Sequence, residues 1–316
     1  MVKLSIVTTM YRSGPYLREF YKRAKAEASR FTDDHEIIFV NDGSPDDSLA
    51  IAIALHHEDP SVQVVDLSRN FGHHKAMMTG LSFATGDLVF LIDCDLEENP
   101  ELLGTFHEVM QTNPDADVVF GVLARRKGGW FERFSGWLFF KIINLLWAEP
   151  LPANLVTARL MTQRYVQALN QYRESELVIA GLWLSAGFRQ IPVTVTKQSR
   201  SETTYSFGKK IGLLIRSITM FSDLPLKYIA NLGFVIFAIA LLYSFALILT
   251  YIVSGKVPQG YTSLIVSVWL LGGLIIFCIG IVAIYLSVVF VETKNRPYTI
   301  VRDVYGRPPA SKSDPD

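Results

Sequence analysis

The chain reads as an open, mostly parallel α/β sheet followed by a two-helix membrane anchor. Short apolar, β-branched runs alternate with segments of helical apolar spacing through residue 122. Near the C-terminal end, residues 228–255 and 257–291 contain no Asp, Glu, Lys or Arg. Strands that alternate with helices pair in parallel and carry helices on both faces. Uncharged stretches of more than about 20 residues are long enough to cross a bilayer core of about 30 Å.

Residues 4–9 (LSIVTT) make the first strand. Their apolar run is too short for a signal peptide, so the soluble part is expected to stay on the side where it is made. Leu17, Phe20, Tyr21 and Ala24 then recur at helical spacing. Residues 36–40 (EIIFV) form a second strand, closed by the turn Asn41-Asp42-Gly43-Ser44 and followed by a helix through Ala54. Residues 62–67 (VQVVDL) make a third strand, and a helix over 73–84 leads to a fourth at 87–92 (DLVFLI). A fifth lies at 117–122 (DVVFGV).

Backbone groups in lipid must be satisfied within their own segment, which predicts spanning helices at about 229–253 and 263–291 within residues 227–292. Lys209, Lys210, Arg216 and Lys227 precede the first stretch, and Lys294, Arg296, Arg302 and Arg307 follow the second, with Lys256 between. Positive residues favour the cytoplasm. The expectation is a multi-pass protein of the cytoplasmic (inner) membrane, with the soluble domain (1–206) and the tail (293–316) both cytoplasmic. An apolar hairpin buried in a soluble protein is the alternative. Gly272, Gly273 and Gly280 would let spans approach closely, which makes a homo-oligomer an expectation too.

Two further segments suit the bilayer surface. Residues 134–147 (FSGWLFFKIINLLW) are aromatic-rich and too short to span, so they read as an interfacial helix. Residues 207–226 place apolar side chains on one helix face and Lys209, Lys210 and Arg216 on another, which suits anionic headgroups or a lipid phosphate. Packing of both on the sheet is the other reading. The balance of 30 basic against 30 acidic residues gives no footprint for nucleic acid. Cys94 stands in a soluble motif and Cys278 inside the second stretch, so they are not expected to pair.

In doubly wound sheets, ligands sit beyond the carboxyl ends of the strands. Three strand ends carry polar chemistry: Asn41-Asp42-Gly43-Ser44, Asp93-Cys94-Asp95 and Arg125-Arg126-Lys127. Two carboxylates at one rim offer hard oxygen ligands for Mg²⁺ or Mn²⁺. Guanidinium groups match phosphate oxygens. Each motif has a plainer reading: a surface turn for Asp-x-Asp and for Asp42, a solvated basic loop for Arg125 and Arg126.

Ser5-Ile6-Val7 with Tyr11, Val40-Asn41-Asp42-Gly43-Ser44, Leu67-Ser68-Arg69-Asn70-Phe71-Gly72-His73, Ala84-Thr85-Gly86-Asp87 and Asp93-Cys94-Asp95-Leu96 occur in the order seen in glycosyltransferase family 2. With two C-terminal spans, the chain resembles the polyprenyl-phosphate glycosyltransferases, the dolichol-phosphate-mannose-synthase-like group. That resemblance implies a GT-A (Rossmann-like) fold and inverting transfer of a hexose from a nucleotide sugar to a lipid phosphate. It implies that Thr9, Tyr11, Asp42, Asp93, Cys94, Arg125 and Arg126 bind the nucleotide sugar, and that Asp93 and Asp95 hold the metal, Asp95 directly. It puts Arg159 and Arg200 at the acceptor phosphate, with Asp93, Asp95 and Arg159 central to the reaction.

The chain departs from the family pattern in places. Ser13 stands where a nucleotide-contacting Glu is usual, and Thr157 where an acidic residue precedes Arg-Leu-Met. Glu97 replaces a common Gln, and Ser201-Glu202-Thr203-Thr204-Tyr205 lacks a usual Lys. The expected activity is transfer from a UDP-sugar, favoured over a GDP-sugar, to undecaprenyl phosphate at the cytoplasmic leaflet, with the lipid bilayer itself a partner. The alternatives are a non-catalytic membrane scaffold descended from such enzymes, and a processive polysaccharide synthase. No Gln-x-x-Arg-Trp sequence is present to favour the last.

Overall fold

A computed structural model of the chain describes residues 2–123, 154–174, 179–197, 224–254 and 260–306. The strands are β1 (Leu4–Met10), β2 (His35–Asn41), β3 (Val62–Leu67), β4 (Leu88–Leu91), β5 (Val118–Leu123), β6 (Leu155–Thr162), β7 (Gln190–Val195) and β8 (Val301–Tyr305). The helices are α1 (Gly14–Ala28), α2 (Ser48–Glu58), α3 (His73–Phe83), α4 (Leu102–Thr112), α5 (Gln163–Leu169), α6 (Ile179–Ser185), α7 (Leu224–Ser254) and α8 (Tyr261–Thr293). Arg125, Arg126, Arg200, the segment 134–147 and residues 207–223 lie outside the described residues.

All the strands join one sheet in the order β7-β5-β6-β4-β1-β2-β3-β8. The fold is a mixed α/β, GT-A-like one. β1 pairs in parallel with both β2 and β4, and β2 with β3. β6 runs antiparallel between β4 and β5, and β7 is parallel to β5. The central strands are buried along nearly their whole length, as parallel strands covered on both faces must be. α1 supplies one cover: Leu17, Phe20, Ala24 and Ala28 recur every three to four residues and are buried, with Pro15 in the first turn. Phe20 meets Phe39 of β2 edge-on at 6.1 Å. On the other face, α3 buries Ala76, Met77, Gly80 and Leu81.

The segment 293–316, read from the sequence as a tail, is not a free one. Its residues Val301–Tyr305 form β8, antiparallel to β3, with Val65 opposite Val304 and Asp66 opposite Asp303. An alternation this short, with two polar residues among five, carries no strand signal until a partner edge is known. β8 covers an edge that β3 would otherwise expose.

The chain divides into two compact units, the sheet with its helices and the apolar pair α7 and α8. Within α8, Leu270–Thr293 (24 residues, mean hydropathy 3.0) is long and apolar enough to cross a membrane. In α7, the apolar run described is the shorter Leu224–Ile236. The described side chains of the pair include Phe234, Phe245, Ile276 and Phe290, all turned outward, an arrangement that fits an apolar surrounding.

One polar knot fastens the helices on the α1 face. Asp59, just past α2, accepts hydrogen bonds from Tyr21 Oη at 2.7 Å, Lys25 Nζ at 2.7 Å and the Ser61 amide at 2.9 Å. Burial opposes its charge, but these donors hold its carboxyl well below the usual range. Its contribution to stability is therefore present above the unfolded carboxylate range, near pH 4, and is lost as pH falls through the lower folded value. We expect Asp59→Asn to cost about 1–2 kcal/mol at neutral pH, Lys25 being part-exposed. Urea unfolding against pH should show the gap to wild type closing below about pH 4.

Candidate functional site

Because the chain runs β1-β2-β3 in one direction and then returns to place β4 on the other side of β1, the sheet has a topological switch point between β1 and β4. A crevice opens there by geometry, and ligands of doubly wound sheets bind in it. The cleft at this position has a volume of about 340 Å³. It is lined by Thr9 and Met10 at the end of β1, Tyr11 and Ser13 after it, Asp42 after β2, Asn70 and Gly72 before α3, His73 at its first position, and Asp93, Cys94 and Asp95 after β4. A second cavity of about 390 Å³ lies away from this rim, between Val2, Phe31, Leu88 and His107.

The loops around the cleft are held by their own carboxylates. Asp42 is buried and accepts from the amides of Phe71 at 2.7 Å and Gly72 at 3.0 Å. Burial raises its pKa above the ordinary value despite those bonds. Gly43 has φ +61°, and a Cβ there would fall 2.4 Å from the Asn70 nitrogen, so only glycine lets the two loops touch. The Ser13 hydroxyl accepts from the Tyr11 amide at 3.1 Å and lies beside the Cys94 thiol. Tyr11 itself stands exposed at the mouth.

Asp93 is the hub of the rim. Its Oδ2 accepts from Thr157 Oγ1 at 2.8 Å, and its Oδ1 lies 3.3 Å from His73 Nε2. His73 Nδ1 lies 3.0 Å from Thr9 Oγ1, so the ring spans β1 and the Asp-x-Asp loop. Burial would lower the His73 pKa, but the Asp93 carboxylate outweighs it and the value is raised. Burial likewise opposes the Asp93 charge, and His73 and Thr157 reverse the sign to leave its pKa lowered. Cys94 Sγ donates to the Thr9 carbonyl at 3.1 Å, and burial pushes its thiol up to about 12, which makes it a packing group rather than a nucleophile.

Asp95 is handled differently. Leu96 adopts φ +60°, a strained value for a branched side chain, directly after it. Asp95 Oδ1 accepts from the Glu97 amide at 2.9 Å, and its other oxygen has no hydrogen-bond partner among the described residues. Burial and then the carboxylates of Asp93 and Glu97 raise its pKa. A carboxylate that lines a cleft, is crowded by like charge and keeps a free oxygen suits a divalent cation. Among the described residues no group of three His, Cys, Asp or Glu side chains converges on one point. Asp93 and Asp95 thus fit a cation that completes its shell with ligand oxygens and water, the usual Mg²⁺ arrangement.

Glu98 and Lys197 complete the rim. Glu98 is buried and accepts from the Thr157 amide at 3.2 Å and the Ala158 amide at 2.7 Å, which stitches the Asp-x-Asp loop to the start of β6. Burial and the nearby Asp93 charge push its carboxyl up to about 7. Lys197, two residues past β7, reaches Glu97 at 3.0 Å and Glu98 at 3.7 Å. Among the described residues, four carboxylates, at 93, 95, 97 and 98, therefore face one lysine and one histidine.

Arg159, expected at the acceptor phosphate, is a buried residue of β6. Residues two apart on a strand share a face, so Arg159 lies one step down β6 from Thr157, inside the domain. It is 1% exposed, stacks over the Trp183 ring and gives Nε–H to the Thr157 carbonyl at 3.3 Å. Burial brings its pKa down to about 9. Its Nη2 is buried and has no hydrogen-bond partner among the described residues. His73, Glu98 and Lys197 were not singled out from the sequence. His73 lay inside a noted motif, whereas Lys197 follows a strand whose Pro192 hid it.

Removing Lys197 takes away the cation beside Glu97 and the buried Glu98. Lys197→Met is expected to lower stability by about 3 kcal/mol, and adding Glu98→Gln should restore part of the loss. Thermal unfolding of the two single variants and the double variant measures that coupling; additive losses would dissolve the strut.

The family model described as Glycosyl transferase family 2 matches residues 5–169. A Mycobacterium tuberculosis protein with only a general glycosyltransferase description is 53% identical over 96% of this chain and 89% of its own length. A prophage bactoprenol glucosyl transferase homolog of Escherichia coli is 30% identical over 96% of this chain and 99% of its own. Among solved structures, the glucosyl-3-phosphoglycerate synthase of Mycobacterium tuberculosis, in complex with Mn²⁺, UDP-glucose and phosphoglyceric acid, aligns with a TM-score of 0.50. It covers 69% of this chain and 79% of that one at 18% identity, a likeness of fold. With the switch-point cleft, the Asp-x-Asp rim and these relatives together, the chain belongs to glycosyltransferase family 2 and is a glycosyltransferase.

Proposed function

We propose that the protein transfers a hexose, with inversion, from a nucleotide sugar to a polyprenyl phosphate at the cytoplasmic leaflet. The observation that carries this is a switch-point cleft ending in a paired-carboxylate rim, on a chain that continues into long apolar helices. Full-length similarity to bactoprenol glucosyl transferases at about 30% identity supports the acceptor class and makes UDP-glucose the first donor to test.

In this reading Thr9, Tyr11 and Cys94 line the nucleotide pocket, and Asp42 shapes it through the loop it holds. Asp95 and Asp93 would hold Mg²⁺ or Mn²⁺, whose charge offsets that of the diphosphate as it leaves. Among the described residues, four carboxylates stand beside one lysine and one histidine, and a cation would offset their repulsion of the donor's phosphates. Thr157 and His73 fix the orientation of Asp93. Arg125 and Arg126 are assigned to the donor phosphates and Arg200 to the acceptor phosphate, as phosphate-matching guanidinium groups.

The chemistry is a single displacement. An oxygen of the acceptor phosphate bonds to the anomeric carbon as the bond from that carbon to the nucleoside diphosphate breaks, and the diphosphate keeps the electron pair. The nucleophile is already anionic, so positioning and charge stabilisation matter more than a general base. The chain leaves the sheet domain before α7 and returns to it as β8 after α8. If the apolar pair enters a bilayer, it must therefore cross an even number of times, which supports two spans and keeps both flanks on one side.

Purified protein supplied with UDP-glucose, UDP-N-acetylglucosamine or GDP-mannose, undecaprenyl phosphate and Mn²⁺ or Mg²⁺ tests the proposal. One donor should give a glycolipid, and EDTA should abolish it. Asp95→Asn should reduce kcat by a factor of at least about 100 while the protein stays folded. Glycolipid formation undiminished in EDTA would remove the metal role. Nucleotide binding without product from any donor would point to another acceptor, and no binding at all would favour the scaffold reading.

A further inference from the structure

The donor cleft depends on residues that the chain adds only after its last apolar helix. β8 begins eight positions past the end of α8, and its second residue, Arg302, reaches the carboxyl end of β3. Arg302 Nη2 donates to the Ser68 carbonyl at 2.9 Å and the Leu67 carbonyl at 3.4 Å. Its Nη1 lies 3.6 Å from Asp66 Oδ2, a carboxylate only 1% exposed. One guanidinium fork thus serves two carbonyls and a buried acid, a geometry that lysine reproduces only in part.

Those contacts connect to the cleft by hydrogen bonds and one covalent step, from Asn41 to Asp42. Asp66 Oδ1 accepts from Asn41 Nδ2 at 2.8 Å, and Asn41 Oδ1 accepts from the Ser44 amide at 3.1 Å. Asn41 is followed by Asp42, which holds the amides of Phe71 and Gly72. The loop 68–72 is therefore fastened at one end by Asp42. At the other end Arg302 holds its carbonyl, and the Ser68 amide donates to the Ile300 carbonyl at 2.9 Å. Asn70, Gly72 and His73, at the far side of this loop, line the cleft. The segment also reaches α3, where the Thr299 and Thr79 hydroxyls are 2.7 Å apart.

We infer that Arg302 is a positioning residue for the donor site: by clamping the end of β3 it sets the loop 68–72, and it links donor binding to the segment that follows the membrane-directed helices. The inference rests on the reading of the cleft as a nucleotide-sugar site. Arg302 touches no substrate in this account. It acts through Asp66, Asn41 and the loop backbone. Removing it leaves a buried carboxylate with a single side-chain donor and frees a carbonyl pair, so the loop loses its fixed position.

The test uses the full-length protein in detergent or nanodiscs, with Arg302→Ala, Arg302→Lys and, as a strand-destabilising control, Val304→Ala. UDP affinity by calorimetry, donor and acceptor KM, kcat, thermal stability and amide exchange of peptides spanning residues 66–74 are measured for each. Arg302→Ala should weaken UDP binding and raise donor KM about tenfold, the loss of a charge-assisted contact, with acceptor KM unchanged. Arg302→Lys should recover most of that loss. Exchange across 66–74 should accelerate in Arg302→Ala but not in Val304→Ala. A donor KM within twofold of wild type, or an equal rise in Val304→Ala at equal thermal stability, would overturn the inference. If wild type itself binds no nucleotide, the site reading fails. The exchange measurement then still decides whether Arg302 orders the loop, and unchanged protection in Arg302→Ala would reject that.

Discussion

β1 is hydrogen-bonded in parallel on both sides, to β2 and to β4, and the cleft takes its place from that pairing. The chain must leave β1 in one direction and return on the other, and the two crossovers cannot fill the space where they part. Thr9, Tyr11, Asp42 and the Asp-x-Asp pair line that space because each follows a strand that ends at the same rim. The antiparallel β6 contributes to the same rim with its first residues instead of its last, which brings Thr157 against Asp93. A parallel strand in that slot would have offered its other end.

The electrostatics of the rim follow from crowding. Asp93 keeps a depressed pKa, whereas Asp95 and Glu98 are raised, because only Asp93 has a histidine and a hydroxyl aimed at it. Neighbouring carboxylates with opposite shifts mark a division of labour: one is locked in place and one keeps an open oxygen. Lys197 is held by Glu97 and Glu98, and its pKa is raised because those carboxylates outweigh its burial. In the function proposed above, this crowding suits a cation and a diphosphate together rather than either alone.

The return of the chain as β8 changes what the apolar pair means for the domain. Residues 1–206 alone would leave β3 as an open edge and Asp66 without its arginine. The catalytic unit is thus discontinuous in sequence, interrupted by the apolar pair and completed after it. An open β3 edge is also a template for unwanted pairing, so the same few residues serve solubility and geometry together.

The sequence by itself determined the strand–helix alternation, the long uncharged stretches and the candidate carboxylates, because those signals are local. Period, composition and a motif at a strand end need no knowledge of partners, and β3 runs over the very residues, 62–67, that its apolar pattern predicts. Tertiary structure alone decided the rest. The resemblance placed Arg159 at the acceptor phosphate, but only the pairing of β6 with β4 shows it buried over the Trp183 ring. Glu98 and Lys197 lie about a hundred residues apart and meet only because β7 ends beside the Asp-x-Asp loop. β8 has too few apolar residues to announce itself, and it exists because β3 presents an edge of unpaired amides and carbonyls for it to join.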